Sequence, residues 1–302
     1  MKPRHPDLSY FAAAVAPAII WGFFAIPLRN ISSYSASTIL YYRLFVSLAL
    51  VTFVVLIFRR RVLLADWKAF HGLPRDARRR LIFLVVTSVV MLTGNWLSFI
   101  YVVNQVSLQA AAFAYMVCPI ITALFAFLLL KEPISRRKWI ALTVSAVSVL
   151  VLASGFMREV SWSVGVATLF AIYLVIQREI KQVDKFNLLG VQLLLACLLV
   201  LPAFAWEHHA VPVDSSFWIN IFAIALIFTV IPLFLNLYAL IRIPSSTVGI
   251  LIYINPIVAF AVAFMYFGDE ASPLQVFSYL VLLCAVIIFN WGYLSKLIRK
   301  AR

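Results

Sequence analysis

One cation stands inside an apolar run. Arg43, in Tyr41-Tyr42-Arg43-Leu44, lies about seven residues into a stretch that opens near residue 36, roughly 10 Å along a helix that rises 1.5 Å per residue. Desolvating a guanidinium is costly unless it meets partners or water, so an ionisable group at that depth is a candidate site. Two readings stay open: a cavity-facing planar fork that attracts a carboxylate or phosphate, or a side chain that snorkels to headgroups or binds a neighbouring helix. Arg29, at the end of the preceding stretch, fits an anchor better. Asn95, Asn236 and Asn255 punctuate other apolar runs, either as substrate contacts or as bonds between helices. Trp96, Tyr101, Tyr115 and Tyr238, with Trp21 and Tyr253, offer faces for aromatic or cationic solutes, or packing and interface anchoring. Tyr253 and Asn255 are two residues apart, about 200° on a regular helix, so such a helix cannot aim both into one cavity. Pro119 and Pro256 each remove an N–H, which leaves the carbonyls of Tyr115 and Ile252 free and predicts kinks.

Absences narrow the chemistry. No Asp, Glu or His lies deep in any apolar stretch, and His5, His71, His208 and His209 fall in tails or loops. A proton-coupled carrier usually has such a group within the membrane. No GxxxxGK[ST] loop marks an ATP-driven pump. Cys118, Cys197 and Cys284 are isolated, without metal or disulfide spacing. No nucleophile–base pair suggests an enzyme, and no cofactor is expected.

These residues need apolar elements to carry them, and the chain supplies little else. Its 302 residues are 65% hydrophobic and 12% charged, whereas soluble domains run near half and a quarter. Stretches near 8–29, 36–58, 81–103, 107–130, 138–155, 161–177, 187–206, 217–240, 244–267 and 274–295 each approach the roughly 20 apolar residues of a spanning helix. With the N-terminus in the cytoplasm, 22 of the 25 Lys and Arg fall inside, and only Arg29, Arg43 and Arg158 do not. That bias sets both termini in the cytoplasm. The formal charge of +14 is therefore topological, with lipid headgroups rather than nucleic acid as its secondary partner.

The chain also repeats itself. At an offset of 137, Tyr101 falls on Tyr238, Pro119 on Pro256, Ala126 on Ala263, Glu132 on Asp269 and Ser135 on Ser272. Five spans per copy is odd, so the second copy enters from the opposite side. Two inverted repeats, 1–157 and 158–302, give the architecture of many secondary transporters. The stretches Thr93-Gly94-Asn95-Trp96 through Asn104, Tyr115 to Pro119, and Lys131-Glu132 resemble the EamA-type drug/metabolite transporter superfamily, in its RarD-like branch. Val230-Ile231-Pro232-Leu233, Ser246-Thr247 and Tyr253-Ile254-Asn255-Pro256 through Gly268-Asp269 repeat the resemblance. Two departures stand out: Lys131 replaces the Gly that usually precedes the acid, and Asp269-Glu270 replaces a single Glu. The resemblance implies an all-α membrane protein of ten transmembrane helices in two inverted five-helix EamA repeats around a central cavity. It implies a secondary transporter in the plasma (inner) membrane that moves small organic solutes, such as amino acids or drugs, by alternating access. A lipid flippase, or a non-transport protein on the same duplicated bundle, is the alternative.

Overall fold

The computed structural model describes residues 8–102, 108–153, 157–207, 211–266, 268, 277, 280–281, 283–292 and 295. Among these residues the regular elements are all helical: α1 (Leu8–Gly22), α2 (Ala25–Asn30), α3 (Ala36–Phe58), α4 (Arg60–Gly72), α5 (Arg75–Tyr101), α6 (Leu108–Leu130), α7 (Arg136–Ala153), α8 (Met157–Glu179), α9 (Lys185–Glu207), α10 (Ser215–Ala225), a π turn (Leu226–Val230), α11 (Ile231–Ala239), α12 (Ser245–Leu251) and α13 (Ile254–Met265). A final apolar helix, α14, runs Leu283–Gly292. Helix lies in each of the ten apolar windows. Among the described residues, six helical stretches are long and apolar enough to cross a bilayer: Leu8–Asn30, Ala36–Phe58, Arg75–Phe99, Ser161–Glu179, Lys185–Glu207 and Ser215–Ala239.

The distribution of side chains is that of a protein dissolved in lipid. Phe58 is 73% exposed, while Gln192 keeps only 1% of its surface. Lipid rewards apolar exposure and offers no partner for a polar group, so polar side chains turn inward and bond across helices. Gln192 Nε2 on α9 donates to Ser88 Oγ on α5 at 2.9 Å, and Ser47 Oγ on α3 reaches the Ala225 carbonyl. This is an integral membrane protein.

Glycines let helices meet closely. A Cβ added at Gly249 of α12 would sit 2.6 Å from Thr122 Cβ of α6, and one at Gly22 of α1 would sit 2.4 Å from Val258 Cβ of α13. Neither contact tolerates a side chain. A different conformational demand falls on Lys131, just past α6, whose φ is +51°. That left-handed region favours glycine, which explains why Gly stands there in the resembled motif. Gly268, with φ +71°, is 137 residues further on, so the repeat offset recurs in backbone geometry.

Three apolar stretches expected as single helices are interrupted, each around the fourth residue before a proline. Pro27, Pro232 and Pro256 lack the N–H that would bond the carbonyls of Phe23, Phe228 and Ile252. In the first case Ile26 N–H bonds Phe23 O at 3.1 Å, and in the third Asn255 N–H bonds Ile252 O at 2.9 Å. The Ile252 carbonyl, expected to be free, is thus satisfied by a locally tightened turn. At Phe228 the helix instead widens into the π turn. Pro119 produces no interruption, since α6 runs through it.

The segment between the second and third windows holds an unforeseen helix, α4. Leu63, Phe70 and Leu73 recur at helical spacing and pack on the core formed with α3, α5 and α9. Its charged residues had masked that short apolar stripe.

Candidate functional site

The helix interruptions place side chains around Arg43. Its Nε donates to Thr229 Oγ1 at 2.8 Å, and Thr229 itself donates to the Ile224 carbonyl at 2.9 Å. Residue 229 lies within the π turn, where the extra residue per turn re-aims a side chain. The guanidinium Cζ lies 4.9 Å from the Trp96 ring centroid of α5 and 5.7 Å from that of Phe24, in the break between α1 and α2. Both are within the range of cation–π attraction. Tyr115 of α6 faces the same charge. Trp21 Nε1 donates to the Phe228 carbonyl at 2.9 Å, the group Pro232 leaves without its helical partner. Arg43, Phe24, Trp96, Tyr115 and Trp21 each remain half-buried. Segments far apart in the chain supply them: α1, α3, α5 and α6 give Trp21, Arg43, Trp96 and Tyr115, and the break after α1 gives Phe24. No carboxylate pairs with Arg43 among the described residues. A desolvated guanidinium with aromatic walls and one hydroxyl partner has hydrogen-bond donors left for an incoming anion.

The other sequence candidates separate. Asn95 and Trp96 are consecutive, so their side chains diverge by about 100°. Trp96 turns to Arg43, whereas Asn95 Nδ2 donates to the Val166 carbonyl of α8 at 2.9 Å, a bond between helices. Tyr101 is 48% exposed, and its ring lies 5.1 Å from that of Trp162, tilted by 43°. Tyr238 stacks on Tyr10 at 4.5 Å beside an apolar groove of about 360 Å³ between α1 and α11, lined by Ser9, Ala12, Ala16 and Phe234. Asn236 is 2% exposed, and its Nδ2 has no hydrogen-bond partner among the described residues. Asn255 is buried next to Pro256, and Tyr253 is wholly buried in the core that includes Cys118 and Phe170. Pro119 lies inside α6. Asn104, Asp269 and Glu270 fall outside the described residues. Among those described, no three His, Cys, Asp or Glu side chains gather as a metal site would require.

A second polar centre joins the two halves of the chain. Glu132, after α6, accepts four hydrogen bonds at the start of α12. Oε1 takes Ser245 N–H and Oγ, both at 2.8 Å, and Oε2 takes Ser246 N–H at 3.0 Å and Oγ at 2.7 Å. The carboxylate thereby satisfies donors that a helix start leaves open and meets the positive end of its dipole. Thr229 was not foreseen, although Pro232, three residues after it, was its signal. Glu132 was marked by the acid repeated at the 137 offset, but its tie to Ser245 and Ser246 was not foreseen.

The family model described as the EamA-like transporter family matches this chain twice, over residues 8–154 and 157–291. The chain belongs to the EamA-like transporter family. Within it, the chain is RarD-like, similar over most of its length to proteins named RarD. Protein RarD of Streptomyces exfoliatus is 29% identical over 94% of this chain and 88% of its own length. Protein RarD of Escherichia coli K12 is 25% identical over 94% and 95%. An uncharacterized transporter of Bacillus subtilis, YojE, is 23% identical over 91% of each chain. A crystal structure at 14% identity superposes with a TM-score of 0.74 over 94% of this chain and 96% of its own, a likeness of fold alone. Together with the apolar helices, the family makes this EamA protein a membrane transporter.

Proposed function

We propose that this EamA protein is a secondary transporter of small organic anions in the plasma (inner) membrane, with Arg43 as the group that receives the solute's carboxylate or phosphate. The observation that carries the proposal is the half-buried guanidinium held against Trp96 and Phe24 with Thr229 as its hydrogen-bond acceptor and no carboxylate partner among the described residues. An aromatic surround excludes water and so strengthens the charge, while leaving its fork open to a bidentate acceptor. Export of metabolites such as amino acids, or of drugs, is the direction we favour.

Ten spans in two inverted five-helix repeats, 1–157 and 158–302, with both termini cytoplasmic, provide the alternating access. Contacts distant in sequence support this reading, because each joins chain segments that it places on one side. Glu132 meets Ser245 and Ser246, Arg80 pairs with Glu179 at 3.1 Å, and Asp66 accepts from Asn187, all at cytoplasmic ends. Tyr41 donates to Glu207, and Asn30 to Asn220, at external ends. In this frame Glu132 is the cytoplasmic latch, fastening span four of one repeat to span nine of the other. Opening the site to the cytoplasm requires those four bonds to exchange for water.

The test is reconstitution into liposomes and a screen of labelled amino acids, other organic acids, amines and nucleotide sugars, with lipid scrambling followed in parallel. Movement of anionic or zwitterionic solutes is expected. Movement of lipid alone would replace the proposal with the flippase reading.

A further inference from the structure

We propose that α4 is an interfacial helix that binds anionic phospholipid headgroups of the cytoplasmic leaflet. The leaflet, though not the contact, rests on the orientation proposed above. One stripe of α4 is committed to the protein: Leu63 and Phe70 pack on the core. Asp66 Oδ2, on the same stripe, accepts from Asn187 Nδ2 at 2.6 Å and from Asp184 N–H at 3.2 Å. Arg59, just before the helix, pairs with Asp184 at 2.9 Å. These contacts fix the rotation of α4 and determine which stripe is left over. Arg60, Leu64, Trp67 and His71, at helical spacing, form it, with Arg61 and Lys68 alongside; all six are exposed. Trp67 is 64% exposed and lies against His71, ring to ring at 4.4 Å.

An exposed Leu and Trp flanked by cations is the pattern of a helix lying in the headgroup layer, the apolar residues dipping to the acyl boundary and the cations meeting phosphate. The charge is one-sided. Eight Lys and Arg face two acids, Asp66 and Asp76, between residues 59 and 80, and Asp66, the acid of α4, is turned inward onto Asn187. Arg60, Arg61 and Lys68 have no acidic partner among the described residues. The helix follows directly on Phe58, the exposed last residue of α3, which sets it at the edge of the apolar layer. Anionic lipid complements all of this: apolar anchors, unpaired cations and position. Through Asp66 and Arg59 the same helix grips the connection between α8 and α9, so bilayer charge also bears on the second half of the chain.

A spin label at Trp67→Cys, in a Cys284→Ser background, reports the contact independently of transport. It is compared with one at Ala65→Cys on another side of α4, in phosphatidylcholine vesicles with and without phosphatidylglycerol. Position 67 should be reached by oxygen more than by a water-soluble nickel chelate, position 65 the reverse, and phosphatidylglycerol should deepen position 67. Combining Arg60→Gln, Arg61→Gln and Lys68→Gln should abolish that deepening and lower the preference for phosphatidylglycerol roughly a hundredfold, at about fivefold per basic residue. Unchanged melting would show that the triple variant is folded. Position 67 open to the nickel chelate in both vesicles would overturn the interfacial placement. A depth indifferent to phosphatidylglycerol would overturn the headgroup claim. Both readings hold whether or not any solute moves.

Discussion

A half-buried cation raises the question of what balances it, and for Arg43 the answer shapes two predictions. Its fixed partners are a hydroxyl and two ring faces, and Thr229 keeps its own bond to Ile224 O if the guanidinium is removed. Arg43→Leu therefore leaves no orphaned charge behind, so its melting temperature should stay close to wild type while anionic flux is lost. Arg43→Lys retains charge without the planar fork and should give intermediate flux. A large drop in melting temperature for Arg43→Leu would make Arg43 a structural tie. Lys131 offers a prediction of stability alone. Relief of its left-handed strain, about 1–2 kcal/mol, exceeds the entropy glycine loses on folding, about 0.5–1 kcal/mol. Lys131→Gly should raise stability by up to about 1.5 kcal/mol, read as a higher melting temperature. At this scale Arg43 and Trp96 were legible, because a charge and a large ring in an apolar run advertise themselves. Asn95 was not: its type permits a solute contact or a helix contact, and only the rotation of α5 decides between them.

At the scale of elements, helix ends and breaks place Phe24, Thr229 and the Glu132 contacts. Glu132→Gln keeps one acceptor oxygen but turns an amide N–H₂ toward a backbone N–H of Ser245 or Ser246, so that bond is lost, while the hydroxyl beside it can rotate to accept from the amide. The variant should be destabilised by about 2 kcal/mol. Spin labels at Arg136→Cys and Arg242→Cys should show a longer, broader distance distribution than in the unsubstituted latch. An unchanged distribution would reduce Glu132 to a helix cap. Gly249→Ala should lower the melting temperature, because its Cβ would fall 2.6 Å from that of Thr122. The prolines behind the breaks are visible in the sequence, yet Pro119 leaves α6 intact while Pro27 and Pro256 follow breaks. The missing N–H is common to all three. Whether the ladder tightens, widens or merely bends depends on what packs at its side, as Trp21 does at the Phe228 carbonyl. Helix α4 went unread for a related reason: three apolar residues among charges make an element only when a core is there to receive them.

For the whole molecule, the apolar windows and the bias of Lys and Arg were the most legible features, since bilayer thickness and topology act on composition directly. The 137-residue offset was legible as well, and it reappears in the positive φ of Lys131 and Gly268. The meeting of Arg43 with Thr229 was not, because it joins helices far apart in the chain. The orientation is tested by single cysteines at Ser107 and Ser135 in intact cells, with Ser107→Cys labelled by an impermeant reagent and Ser135→Cys protected. Transport of an organic anion through Arg43 is tested most directly by counterflow. Liposomes preloaded with an unlabelled carboxylate solute found in the screen receive the labelled solute outside, with wild type and Arg43→Leu reconstituted in equal amounts. A transient overshoot of label is expected for wild type and none for Arg43→Leu of unchanged melting temperature. Equal overshoot in the two would exclude Arg43 as the anion's receiving group.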